Sequence, residues 1–335
     1  LSPFVEPLER MRMPLDLGLG RMAPGSKLRS WVTELRAPFL TASTLPVLVG
    51  SAVAWASSGV ILWDYLLLSL AAGVSLHLAA NVANDYFDHR SGNDELNVEF
   101  IRPFSGGSRV IQRGLLKPSE VLLGSLVFLG LGMSIGIYLA WMRGLILLLL
   151  GAVMVFSACF YTGPPIDLAK RGVGELTVGL NFGVLAVLGA SYVQTRALGW
   201  EPMAAGIPLG ALIAAVLYVN EFPDYQADRA VGKRTLVVRL GRKRAVLGYG
   251  ALLASAYLSI VVSAAVGLMS PFTLLGLLTL PLALKAYGCA RSHHAEPRQL
   301  VPANALTVAI HLATGLLIAL GYVLQGLLSR GLITW

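Results

Sequence analysis

The sequence predicts an all-α membrane protein, about nine transmembrane helices in a single bundle built from repeated helix units. Three observations carry that expectation. Of the 335 residues, 56% are hydrophobic and 13% charged, with a mean hydropathy of +0.69, which lies outside the range of ordinary soluble domains. Apolar stretches recur at the length of about 20 residues that a spanning helix requires. An acid-rich motif occurs twice, each copy closing an apolar stretch, as internal repeats do.

Taken in order, the apolar stretches cover roughly 38–58, 60–83, 120–141, 143–161, 175–195, 203–221, 244–268, 271–290 and 303–327. Alternating strand patterns with short turns are absent, which argues against a transmembrane barrel. Residues 1–35 mix Pro, Gly, Met and charge without the apolar core and cleavage site of a signal peptide, so they read as a cytosolic N-terminal tail. Residues 36–330 then form one intramembrane domain. Cys159 and Cys289 lie in or at the edge of apolar spans and suggest neither a disulfide framework nor a CxxC metal site.

The net charge of +8 would suit nucleic acid if it formed a patch, but it does not. All but Arg143, Arg196 and Arg330 of the 26 Lys and Arg fall in the N-terminal tail, follow the second, fourth, sixth and eighth spans or, as Lys285, lie near the end of the eighth. That is the positive-inside pattern, with a lipid bilayer rather than nucleic acid as the partner. It puts the N-terminus and the even-numbered loops in the cytoplasm, together with both acidic motifs.

The first motif is LHLAANVANDYFDHRSGND (Leu76–Asp94) and the second LYVNEFPDYQADRAVGKRT (Leu217–Thr235). Superposed, Asn84 meets Asn220, Asp85 meets Glu221 and Asp88 meets Asp224. The second copy continues to Asp228, whereas the first has Gly92 there and places its next acid at Asp94. Residues four apart share a helix face, so Asn84/Asp88 and Asp224/Asp228 each form a polar edge on one side of the membrane. Carboxylates gathered at a low-dielectric boundary repel one another unless a cation lies between them. Oxygen donors without Cys favour a hard ion, and Mg²⁺ commonly shares its shell between carboxylates and substrate phosphates. The plain alternative is two solvated helix ends, and two matched copies among only 18 acids weigh against it.

Cations flank these acids in three loops. RPFSGGSRVIQRG carries Arg102 and Arg109 around a turn whose N–H groups suit phosphate oxygens, YTGPPIDLAKRG carries Tyr161 and Lys170, and DRAVGKRT carries Lys233. Metal-binding acids interleaved with phosphate-binding bases make a diphosphate site, with Arg102, Arg109, Lys170 and Lys233 as its cations. Polar residues within spans are costly. His77 and Asn81 share a face with Asn84, and Asn181 lies in the fifth span. These three either bond between helices or line an acceptor or prenyl pocket.

NDYFDHRSGND and DYQAD resemble the paired aspartate motifs of the UbiA superfamily of intramembrane prenyltransferases, and the resemblance extends over about residues 35–330. It implies that Asn84, Asp88, Asp224 and Asp228 hold Mg²⁺ against the diphosphate of a polyprenyl diphosphate. It further implies that Lys170 and Arg102 neutralise the leaving group, and that Asp88, Asp224, Lys170 and Tyr161 act at the reacting centre. The family's Tyr-x-x-x-Lys element is stretched here to Tyr161 and Lys170, and Gly92 departs from its NxxxDxxxD motif. Those two motifs and YTGPPIDLAKRGVGELTVGLNFG resemble the menaquinone branch, which implies 1,4-dihydroxy-2-naphthoate as the aromatic acceptor, with loss of CO₂ and diphosphate. Other acceptors, such as 4-hydroxybenzoate, would use the same diphosphate apparatus. An ion-coupled secondary transporter is the alternative of a different class, but its acids would lie at mid-membrane rather than cap spans at one face.

Overall fold

The computed structural model describes residues 27–333, so most of the expected N-terminal tail lies outside them. The described part of that tail is a helix, α1 (Lys27–Glu34), and a 3₁₀ turn at Ala37–Leu40 leads from it into α2 (Thr41–Ser58). Gly59 closes α2 in the left-handed conformation, its N–H bonding the Trp55 carbonyl at 2.8 Å. Helix α3 (Trp63–Ser91) runs on well beyond residue 83, where its apolar stretch ends, and carries the first acidic motif on its last turns. Hydropathy marks where lipid contact ends, not where helical hydrogen bonding ends.

A short helix α4 (Asn93–Leu96) follows, then α5 (Pro118–Arg143), α6 (Ile146–Phe160), α7 (Gly174–Gly179), a π turn at Leu180–Leu185, and α8 (Ala186–Thr195). The second motif lies on α9 (Trp200–Ala230). After it come α10 (Leu236–Leu240), α11 (Arg242–Ala265), a 3₁₀ stretch at Pro271–Thr279, α12 (Leu280–His293) and α13 (Pro297–Ser329). No strand occurs among the described residues. Eight of their helical segments are long and apolar enough to cross a membrane. The remaining expected span, the fourth at 143–161, corresponds to α6, whose 15 residues give a rod of only about 22 Å.

Helix α9 is the centre of the bundle: 78% of its apolar stretch is buried, against 17% for α5. A helix apolar all round belongs in the interior. One core cluster packs α9 against α11, α12 and α13, and another packs it against α2, α11 and α13. Against the π turn the contact is backbone to backbone. A Cβ on Gly183 would stand 2.4 Å from the Gly210 Cα and 2.6 Å from the Gly206 carbonyl oxygen. Small residues four apart on both partners permit such an approach, as in small-xxx-small contacts between membrane helices.

Arg143, Arg196 and Arg330, the exceptions to the charge pattern, cap helix ends. Arg143 donates to the Val193 and Gln194 carbonyls at 2.6 and 2.9 Å, and Arg330 to the Trp55 and Ala56 carbonyls at 2.8 and 3.2 Å. Arg196 donates to Met142 O. Guanidinium groups satisfy terminal carbonyls and meet the negative end of the helix dipole.

Gly183→Ala is expected to cost about 1–3 kcal/mol through overpacking, read as a lowered unfolding temperature in detergent. Gly130→Ala, at an exposed position with nothing within 4 Å of the added carbon, should leave that temperature unchanged or slightly raised.

Candidate active site

Helix α3 ends because Gly92 adopts φ 75° and turns its N–H back to the Asp88 and His89 carbonyls. Gly92 therefore stands where the second copy has an acid because the chain must reverse there. The reversal folds α4 across the end of α9: Asn93 Nδ2 donates to Asp228 Oδ1 at 3.0 Å, and Asn97 Nδ2 to Asp224 Oδ1 at 2.6 Å. Neither asparagine was singled out from sequence, although both lie in the polar run GNDELN just after the first motif. Their role depends on a reversal that motif spacing does not reveal.

Asp88, from α3, accepts from Asn84 Nδ2 at 3.0 Å. Its two oxygens lie 3.3 Å from Lys233 Nζ, which is also 3.8 Å from Asp228 Oδ1. Burial works against the Lys233 charge, but the carboxylates of Asp88, Asp228 and Asp224 outweigh it and hold the ammonium well above its usual range. Lys233 is thus the cation that joins the two motifs. Behind them, Pro223 lacks an N–H, which leaves the Val219 carbonyl free four residues earlier. Asn304 donates to that carbonyl at 3.2 Å and to Asn220 Oδ1 at 2.8 Å.

Asp85 and Glu221, which follow the leading asparagine of each motif, have other partners. Asp85 is buried, accepts the Ser108 N–H at 2.7 Å and meets the buried Glu34 carboxyl, which also accepts from Ser108 Oγ. Glu221 meets Glu175, whose other contact is the Leu236 N–H at 3.1 Å. Each pair anchors a loop that bears site residues, and Glu34 does so from within the segment read as tail. Asp94 is buried on the cavity wall, 3.9 Å from Arg109 and accepting from Gln112 at 3.0 Å. Burial and the carboxylates of Asp88 and Asp85 push its carboxyl up to about 8.

Both motifs face one cavity. Its polar end holds Asn84, Asp88, Asp224, Asp228 and Lys233, and its flanks hold Tyr161, His77, Asn81 and Asn181. Burial and the nearby Glu221 carboxylate raise the Tyr161 phenol well above its ordinary range, so it stays protonated. Arg36, at the junction of the tail and the intramembrane domain, also reaches the cavity.

The other three expected cations are placed outside its lining. Arg102 is bonded to the Ser108 carbonyl. Arg109, at φ 64°, donates to the Asp94 carbonyl and stacks over Phe100 at 4.4 Å. Lys170 is exposed, and its carbonyl accepts the Arg234 N–H at 3.1 Å.

The donor set suits a hard divalent cation, since it consists of oxygens alone and a positive charge already lies between the carboxylates. Among the described residues, no three of His, Cys, Asp and Glu are grouped closely enough to form a metal cage of their own. The arrangement therefore fits ions whose shell is completed by water and phosphate oxygens.

The model of the UbiA prenyltransferase family matches residues 43–310. The chain belongs to this family. As a UbiA family member it is a multi-pass membrane enzyme that transfers prenyl groups. It is 36% identical over 273 residues to a 1,4-dihydroxy-2-naphthoate octaprenyltransferase of Mycobacterium tuberculosis, covering 81% of this chain and 89% of the relative. It is 29% identical over 311 residues to a 2-carboxy-1,4-naphthoquinone phytyltransferase of Synechocystis, covering 91% and 96%. Among solved structures, a UbiA homolog from Archaeoglobus fulgidus bound to DMAPP and Mg²⁺ superposes with a TM-score of 0.60 at 16% identity, covering 87% of this chain and 99% of that one. At that identity the likeness is one of fold.

Asn97→Ala frees Asp224 from its amide partner. A hydrogen bond to a charged group contributes about 1.5–3 kcal/mol, so prenyl transfer is expected to fall by about tenfold or more in kcat/KM, followed by diphosphate release. The unfolding temperature should fall by only a few degrees.

Proposed function

We propose that the protein transfers a polyprenyl group from polyprenyl diphosphate to 1,4-dihydroxy-2-naphthoate with loss of CO₂ and diphosphate, giving the quinol form of demethylmenaquinone. The observation that carries this reading is one cavity with a carboxylate-and-ammonium end and a flank of His77, Phe182 and the Asn81 and Asn181 amides. Relatives named for dihydroxynaphthoate support the acceptor.

Asn84, Asp88, Asp224 and Asp228 would hold Mg²⁺, which when bound neutralises the diphosphate and polarises its bond to the allylic carbon. Lys233 lies within reach of the same phosphate oxygens and takes up charge as the C–O bond ionises. Arg102 and Arg109 support the leaving group by holding the Ser-Gly-Gly-Ser loop and the Asp94 backbone in place, and Lys170 at the rim meets phosphate as it enters. Tyr161, protonated and facing the cavity, is positioned beside the reacting carbon. The helical walls keep water from the allylic cation until the electron-rich ring attacks. The attacked ring then loses its carboxylate as CO₂ and regains aromaticity.

The apolar prenyl tail lies between helices while its diphosphate stays at the polar end, so one site serves both phases. The positive-inside pattern puts that end, and the N-terminus, in the cytoplasm.

Purified protein supplied with Mg²⁺, a polyprenyl diphosphate and dihydroxynaphthoate should form the quinol of demethylmenaquinone, read as the quinone after oxidation in air. Product from 4-hydroxybenzoate instead would overturn the acceptor assignment. Chelation of Mg²⁺ should stop turnover, and Asp88→Ala and Asp224→Ala should each lower it by about a hundredfold or more. Near-normal rates in either variant would contradict the ligand assignment.

A further inference from the structure

Resting on that acceptor reading, we infer that the cavity selects an aromatic diol through two amide oxygens, Oδ1 of Asn181 and Oδ1 of Asn81, which each accept one ring hydroxyl. Two hydrogen-bond chains fix the direction of these amides. Each chain ends on a backbone carbonyl, and a carbonyl can only accept.

The first chain starts in the π turn, where helix geometry departs from regular, as it often does at functional sites. Asn181 Nδ2 donates to the Thr177 carbonyl at 2.7 Å and to Ser157 Oγ at 2.9 Å, and Ser157 gives its own proton to the Val153 carbonyl at 2.8 Å. Both amide hydrogens are thereby used. Oδ1 is left buried without a protein partner, on a residue 6% exposed that lines the cavity. A buried acceptor without a donor is costly and calls for a ligand that supplies one.

The second chain runs through α3. Ser43 gives its proton to the Leu40 carbonyl at 3.0 Å, so it accepts from His77 Nδ1 at 3.2 Å. The His77 Nε2 lone pair then accepts from Asn81 Nδ2 at 3.0 Å, which leaves Asn81 Oδ1 as the free acceptor of a residue that lines the cavity. The His77 ring meets Phe182, the residue after Asn181, edge-on at 4.8 Å. The two amides therefore come from the two elements that this aromatic contact joins.

Hydroxyls of the diol donate to both oxygens. Quinone carbonyls only accept, and would face two lone pairs. The same selection favours the form of the ring that is nucleophilic.

The test compares dissociation constants of 1,4-dihydroxy-2-naphthoate with those of 1-hydroxy-2-naphthoate and 4-hydroxy-2-naphthoate, each of which lacks one hydroxyl. The full-length protein carries a non-reactive polyprenyl diphosphate analogue and Mg²⁺. Each analogue should bind the wild type about tenfold more weakly than the diol. In Asn181→Leu, and in the milder Asn181→Ala, one analogue should match the diol within about twofold while the other stays discriminated, and Asn81→Leu should exchange their roles. An unchanged dissociation constant for the diphosphate analogue reports an intact fold. Wild-type ratios retained in the variants overturn the hydrogen-bond assignment alone. A wild type that binds no dihydroxynaphthoate overturns the acceptor reading beneath it.

Discussion

Carboxylates from two helices far apart in sequence cannot share a low-dielectric cavity without a cation, and here the cation is Lys233. Its ammonium lies 3.3 Å from both oxygens of Asp88 on α3 and 3.8 Å from Asp228 on α9. At that distance a unit pair attracts by about 5 kcal/mol in an effective dielectric of about 20, before desolvation is counted. Like charges at similar separations would repel as strongly. Other features at this end of the bundle serve the same balance: the Gly92 reversal brings Asn93 and Asn97 onto the carboxylates of α9, and the segment after α9 returns Lys233 between the motifs.

The scaffold behind this end is rigid for identifiable reasons. Pro223 breaks the hydrogen-bond ladder of α9 at the Val219 carbonyl, and Asn304 on α13 fills the gap. The buried pairs Glu34–Asp85 and Glu175–Glu221 tie the two motifs to the backbone of the loops at Ser108 and Leu236. The residue after each leading asparagine is therefore a loop anchor, while Asn84, Asp88, Asp224 and Asp228 line the cavity. The close contact of Gly183 with Gly206 and Gly210 sets the π turn against the central helix, and that turn bears Asn181 and Phe182.

Much of the site was legible in sequence because its chemistry is repeated and costly. Acids are scarce in a chain this apolar, so two matched Asn-acid-x-x-Asp runs at span ends marked Asn84, Asp88, Asp224 and Asp228, and helical spacing linked His77 and Asn81 to the same face. Asn93, Asn97, Glu34 and Arg36 were not legible. Each acts across a chain reversal or from a segment whose polarity looked like that of an ordinary tail. The cations divided along the same line. Lys233, adjacent to the second motif, lines the cavity, whereas Arg102 and Arg109 hold their loop and Lys170 is exposed.

Sequence by itself determined the helical membrane class, the approximate positions of eight spans and the two acid-rich motifs that the fold brings to one cavity. These depend on composition and on short-range periodicity, which a chain carries wherever it folds. Only the tertiary structure decided which cation lies between the motifs, which asparagines hold the carboxylates of α9, and how the Asn81 and Asn181 amide hydrogens are engaged. Those outcomes depend on hydrogen-bond direction and on contacts between residues more than a hundred positions apart, set by the packing of α3, α9 and the π turn rather than by any local pattern.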